Sequence, residues 1–145
     1  MMTRSLSLTL ALAFTAGVAL AHEGVKDPDV MARMELMEDI KAATARIDKM
    51  RRGQAPFDAG KAAADRALLV EKAEAIPDAF ARKAEDPKSE ALPAIWTDWD
   101  DFTARAEEMA AAAASMRTGS RQALTGSFGD YAATCRACHE DFRMP

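Results

Sequence analysis

From Asp27-Pro28 to Arg52 the chain contains no internal glycine or proline, and its apolar residues keep to one side of a helix. Val30, Met34, Met37, Ile40, Ala43, Ile47 and Met50 recur at spacings of three and four, which marks a single buried stripe. Asp27 is suited to cap this helix with Pro28 in its first turn, and Gly53 supplies the stop. Lys49, Arg51 and Arg52 gather at its carboxyl end, where the helix dipole favours cations. A long amphipathic helix of this kind has to bury its stripe against other elements, and nothing in the sequence suggests strands.

The remaining punctuation predicts three more helices. Asp58 caps a second one running through Leu68, Leu69, Val70 and Ala73 to about Ile76, where Pro77 interrupts it and Phe80 sits on a further turn. Glu85 to Pro93, with Pro87 and Ser89, reads as a long connection. Thr97 and Asp100 are expected to form a capping box for a third helix. Its inward stripe is Trp99, Phe102, Ala106, Met109, Ala113 and Met116, ending at Thr118-Gly119. The fourth starts near Ser120 and carries Leu124, Phe128, Tyr131, Cys135, Cys138 and Phe142. Gly126 and Gly129 each cost a helix about 1 kcal/mol, which suggests a bent start or a surface against which something flat lies. The thin-sided run Ala110 to Ala114 permits close helix or subunit contact. The expected fold is all-α, an antiparallel four-helix bundle in one domain.

The length of 145 residues leaves no room for a second domain. Met1 to Arg4 is basic, Leu6 to Leu20 is almost continuously apolar, and Ala19-Leu20-Ala21 has the small-x-small pattern of a cleavage site. Residues 1–21 are therefore expected to be a signal peptide and residues 22–145 the mature bundle, exported to the periplasm without a membrane anchor. The net charge of −4 has the wrong sign for nucleic-acid binding. His22 would begin the mature chain, but no second histidine is free to complete a strong copper site with it.

The chemistry concentrates in Cys135-Arg136-Ala137-Cys138-His139. A C-x-x-C-H run is the attachment signature of c-type haem: each thiol adds across a vinyl group and the histidine coordinates iron from one face. Two intervening residues put both sulfurs on one side of a helical turn. Three other readings compete. A structural disulfide would suit an exported chain but leaves His139 unexplained. A thioredoxin-like pair would need a βαβ setting. Zinc would need a fourth ligand beyond these three.

With these residues the chain resembles the class II c-type cytochromes, which comprise cytochrome c' and its low-spin relatives. The resemblance rests on Arg33 followed by Leu36-Met37, on Gly53-Gln54-Ala55-Pro56-Phe57-Asp58, on Pro93-Ala94-Ile95-Trp96-Thr97-Asp98, and on a haem motif close to the carboxyl end. It implies an up-and-down bundle with one covalent haem c in its core, held by Cys135 and Cys138 with His139 as proximal ligand. It further implies Met37 as the distal ligand of a low-spin member, although methionine at this position also packs over the ring in high-spin members. Met34, about 60° round the helix, is the nearest substitute, and Met31 is further removed. Arg33 is expected either to pair with a haem propionate or to be a solvated surface arginine.

Arg143 matches a basic residue on the proximal side, or acts only as a cation at the helix end. Phe142 stands where some relatives have tyrosine. Trp96, Trp99, Phe128 and Tyr131 are expected as core and pocket packing.

The function expected from the residues and the resemblance together is a mono-haem carrier of single electrons, not an enzyme, working with redox partner proteins. Met/His ligation suits that task because little rearranges when an electron arrives. A five-coordinate protein that binds nitric oxide or carbon monoxide is the alternative, and a haem-free structural bundle a third. Homodimerisation through the first two helices is a further expectation of the resemblance.

Overall fold

The computed structural model describes residues 24–145, and the expected leader (residues 1–21) and His22 lie outside the described residues. α1 spans Pro28–Arg51, and its Asp27 cap accepts from the amides of Asp29 and Val30 at 2.8 and 3.1 Å. It stops at Gly53, whose φ of +73° is one that glycine adopts without strain. α2 (Ala59–Glu74) is capped by Asp58, which accepts from the Lys61 amide at 2.9 Å. Pro77 has no N–H to donate, so the helix breaks at Ala75 and resumes as the short α3 (Ile76–Phe80). After the crossover come α4 (Ala94–Thr97), α5 (Trp99–Ser115) and α6 (Arg121–Phe142).

Three expectations are corrected. Thr97 and Asp100 form no capping box: Pro93 opens the one-turn α4, so Thr97 is itself helical and its hydroxyl turns back to the Ala94 carbonyl at 3.3 Å. Asp98 takes the N-cap position of α5 without a side-chain bond. α5 ends at Ser115, short of Thr118-Gly119, because Met116 turns extended and is buried in the core. α6 runs unbroken through Gly126 and Gly129, and a Cβ at Gly129 would meet nothing within 4 Å. Burial of Leu124 and Phe128 on either side of Gly126 offsets the glycine penalty.

The helices pack around one core in the order α1, α2, α5, α6. Ala73, Ala110 and Ala113 are buried between α2 and α5, so the alanine run serves close helix contact. The α1–α6 pair makes the sparsest contact around this ring. At one end of the bundle Phe102 gathers Phe80, Trp99 and Phe142 around it, with centroids 5.1 to 5.7 Å away. The crossover ends there by pairing with the tail: the Leu92 amide donates to Phe142 O at 3.0 Å and the Met144 amide to Glu90 O at 2.8 Å. That isolated bridge, Ala91 with Arg143, is the sole β pairing among the described residues.

Candidate functional site

The inward stripe of α6 reads Phe128, Tyr131, Cys135, Cys138, Phe142. Phe128, Tyr131 and Phe142 are buried, and the two cysteines are half-buried against the same core. Both cysteines are free thiols. Among the described residues no three His, Cys, Asp or Glu side chains are grouped to hold a metal, so the zinc reading lacks its ligands. His139 is exposed at the next position of the turn. Arg105 of α5 reaches Asp101 and Asp141 at 3.5 Å, a linked set of charges beside Cys138 that the sequence reading missed.

Burial raises the pKa of both thiols, Cys138 to about 11. Although His139 is exposed as a residue, partial desolvation of its ring, reinforced by Arg143 and opposed by Glu90, holds the imidazole below its usual value. At neutral pH the turn thus presents two protonated thiols and an unprotonated imidazole, the state in which nitrogen can coordinate a metal. Arg143 is more than a helix-end cation, because its guanidinium pairs with Glu90 of the crossover at 2.6 and 2.7 Å.

α1 faces this turn with a stripe of its own. Met37, Thr44 and Arg51 recur at intervals of seven, drifting only about 20° per interval. Arg51 lies over the Phe128 ring at 4.3 Å, and the Thr44 hydroxyl meets that of Tyr131 at 2.7 Å. These contacts fix the antiparallel register. Met37 lies seven residues before Thr44 and Cys138 seven after Tyr131, so equal rises of about 10 Å bring them to one level. Met37 is half-buried against the core at that level, where polar links between α1 and α6 have ended. Met34 is also half-buried, but it sits farther round α1 from the Thr44 line.

Arg33 is not solvated. Only 3% of it is exposed, and its guanidinium donates to the carbonyls of Ala79, Arg82 and Ala84 between the rings of Phe80 and Trp96. Trp96 is more than packing as well, because its indole N–H donates to Phe80 O at 2.8 Å. Neither role was legible beforehand, since a carbonyl cage leaves no acidic residue in the sequence as a marker.

A helical bundle with a C-x-x-C-H turn facing inward from its last helix defines the class of covalent haem proteins. Residues 29–143 match the family described as Cytochrome C'. Cytochrome c-554 of Cereibacter sphaeroides is 34% identical, covering 95% of each chain. Cytochrome c' of Rhodopseudomonas palustris is 30% identical over 94% of this chain and 97% of its own. The solved cytochrome c' of Rubrivivax gelatinosus superposes with a TM-score of 0.70 at 29% identity, covering 79% of this chain and 94% of that one.

The chain belongs to the cytochrome c' family, whose members are haem proteins of electron transfer or gas binding, and its cofactor is covalently attached haem c. The donor set fits that group: paired inward thiols and an adjacent imidazole on α6, opposite the helix that carries Met37. Family members are typically periplasmic. Among the described residues no helix is long and apolar enough to cross a membrane.

Proposed function

We propose that this chain is a periplasmic single-electron carrier in which Cys135 and Cys138 hold one haem c, His139 is the proximal ligand and Met37 the distal ligand. One observation carries the reading: the Thr44–Tyr131 contact sets a register between α1 and α6 that, continued by equal helical rises, brings Met37 level with Cys138. The haem supplies the one-electron couple, and Met/His ligation raises its potential.

The protein's own residues do the rest. The two thiols would fix the cofactor to α6, and the Thr44–Tyr131 bond holds the facing helices in register. An electron can then enter and leave with little rearrangement. Redox proteins are the partners this implies. The Met34 thioether is the less favoured donor because its direction departs from the Thr44 line.

The test is the spectrum of the purified holoprotein with and without carbon monoxide. A low-spin spectrum in both oxidation states that carbon monoxide leaves unchanged is expected. A high-spin ferric form, with a ferrous form that binds carbon monoxide readily, would assign the chain to gas binding instead and leave Met37 as packing.

A further inference from the structure

Among the described residues, the polar and cation–π contacts between α1 and α6 all lie at or beyond Thr44. The first half of α1, which carries Met37, is fastened from the other side, by α3 and the crossover. Asp86 accepts from the Lys26 and Asp27 amides, and Arg82 pairs with Asp27 and Asp29. These ties are at the surface. Arg33 forms the buried one, with Nε 3.0 Å from Ala79 O and Nη1 3.4 Å from Ala84 O. The Phe80 and Trp96 rings lie 4.9 and 5.1 Å from its guanidinium carbon. Among the described residues no carboxylate bonds to this guanidinium. Burying a charge is costly, and simple adhesion between α1 and α3 would be served equally well by an aliphatic side chain. What the planar fork adds is direction, since three carbonyls bound at once allow the helix one position.

We infer that Arg33 is a positioning residue: its carbonyl cage sets how far the first half of α1 stands from α6, and thereby holds the Met37 sulfur within reach of the iron. Arg33 and Met37 lie one turn apart, so a shift of this turn moves the thioether with it. These three bonds leave two of the five guanidinium N–H groups outside the cage. The inference rests on the Met37 reading above.

The experiment uses holoprotein of Arg33→Lys, Arg33→Gln and Arg82→Gln beside Met37→Ala. The readouts are ferric spin state, the thioether-to-iron charge-transfer band, carbon monoxide binding and amide hydrogen exchange. Lysine keeps the charge and loses the fork. Both Arg33 variants are expected to lower the ratio of ligated to unligated iron about tenfold and to admit carbon monoxide. They are also expected to speed exchange in residues 30–37 while leaving α6 protected.

Arg82→Gln should show the same direction more weakly. Should Arg33→Gln fail to fold, Arg33→Lys decides. Wild-type spin state and exchange in the Arg33 variants, with only a lower unfolding midpoint, would overturn the inference. Failure of the Met37 reading is separable, because Met37→Ala would then match wild type spectrally. Arg33 is in that case judged by exchange, and undiminished protection of residues 30–37 would refute the clamp.

Discussion

The hydroxyls of Thr44 and Tyr131 meet at 2.7 Å across α1 and α6, and the Tyr131 side chain is wholly buried. This bond sets the level at which every later residue of α6 meets every earlier residue of α1. Burial raises the Tyr131 pKa, so the phenol stays protonated, and the bond persists through ordinary pH.

Removing the Thr44 hydroxyl leaves that of the buried Tyr131 without a bond. Thr44→Val is therefore expected to cost about 1–3 kcal/mol in urea unfolding, and the double variant with Tyr131→Phe less than the sum of the singles. Strict additivity in that cycle would show that the two hydroxyls do not interact.

Acid should loosen the end of the bundle where the crossover begins. Three amides, those of Lys26, Lys88 and Asp27, donate to the Asp86 carboxylate and hold its pKa below the ordinary 3.8. A lowered folded pKa gives stability that is complete above the unfolded value and disappears as pH falls through the folded one. The difference in unfolding midpoint between wild type and Asp86→Asn is thus expected to be constant near neutrality and to shrink below pH 3.8. A difference that stays level into acid would contradict this role.

The thiols make a separate prediction. Wild type produced in a host that matures c-type cytochromes should have the mass of the polypeptide plus one haem, and the attached group should lie in the peptide containing Cys135 and Cys138. Cys138→Ser should leave at most a single thioether, visible as a shifted haemochrome spectrum. Full attachment in the serine variant would remove Cys138 from the site.

Much of this arrangement was legible in the sequence because periodicity reports burial directly. The stripe of α6, that of α1 from Ile40 to Met50, and the caps at Asp27 and Asp58 follow from residue spacing and hydrogen-bonding chemistry alone, whereas in the first half of α1 Arg33 and Leu36 take the buried positions and the expected Met34 and Met37 are only half-buried. The Thr97 expectation failed because a capping box and a short preceding helix compete for the same residue, and Pro93 decides in favour of the helix. Of the two expectations for Arg33 the solvated one fails, and the carbonyl cage was not foreseen because carbonyl acceptors belong to every residue and leave no trace in composition. The register that brings Met37 level with Cys138 follows only from Thr44 and Tyr131, a contact between residues far apart in the chain.

The most direct measurement is the ferric spectrum of Met37→Ala holoprotein beside wild type and Met34→Ala. The account predicts low-spin iron in wild type and Met34→Ala, and a change to high-spin, carbon monoxide-reactive iron in Met37→Ala alone. Low-spin iron persisting without the Met37 thioether, or lost with that of Met34, would contradict it.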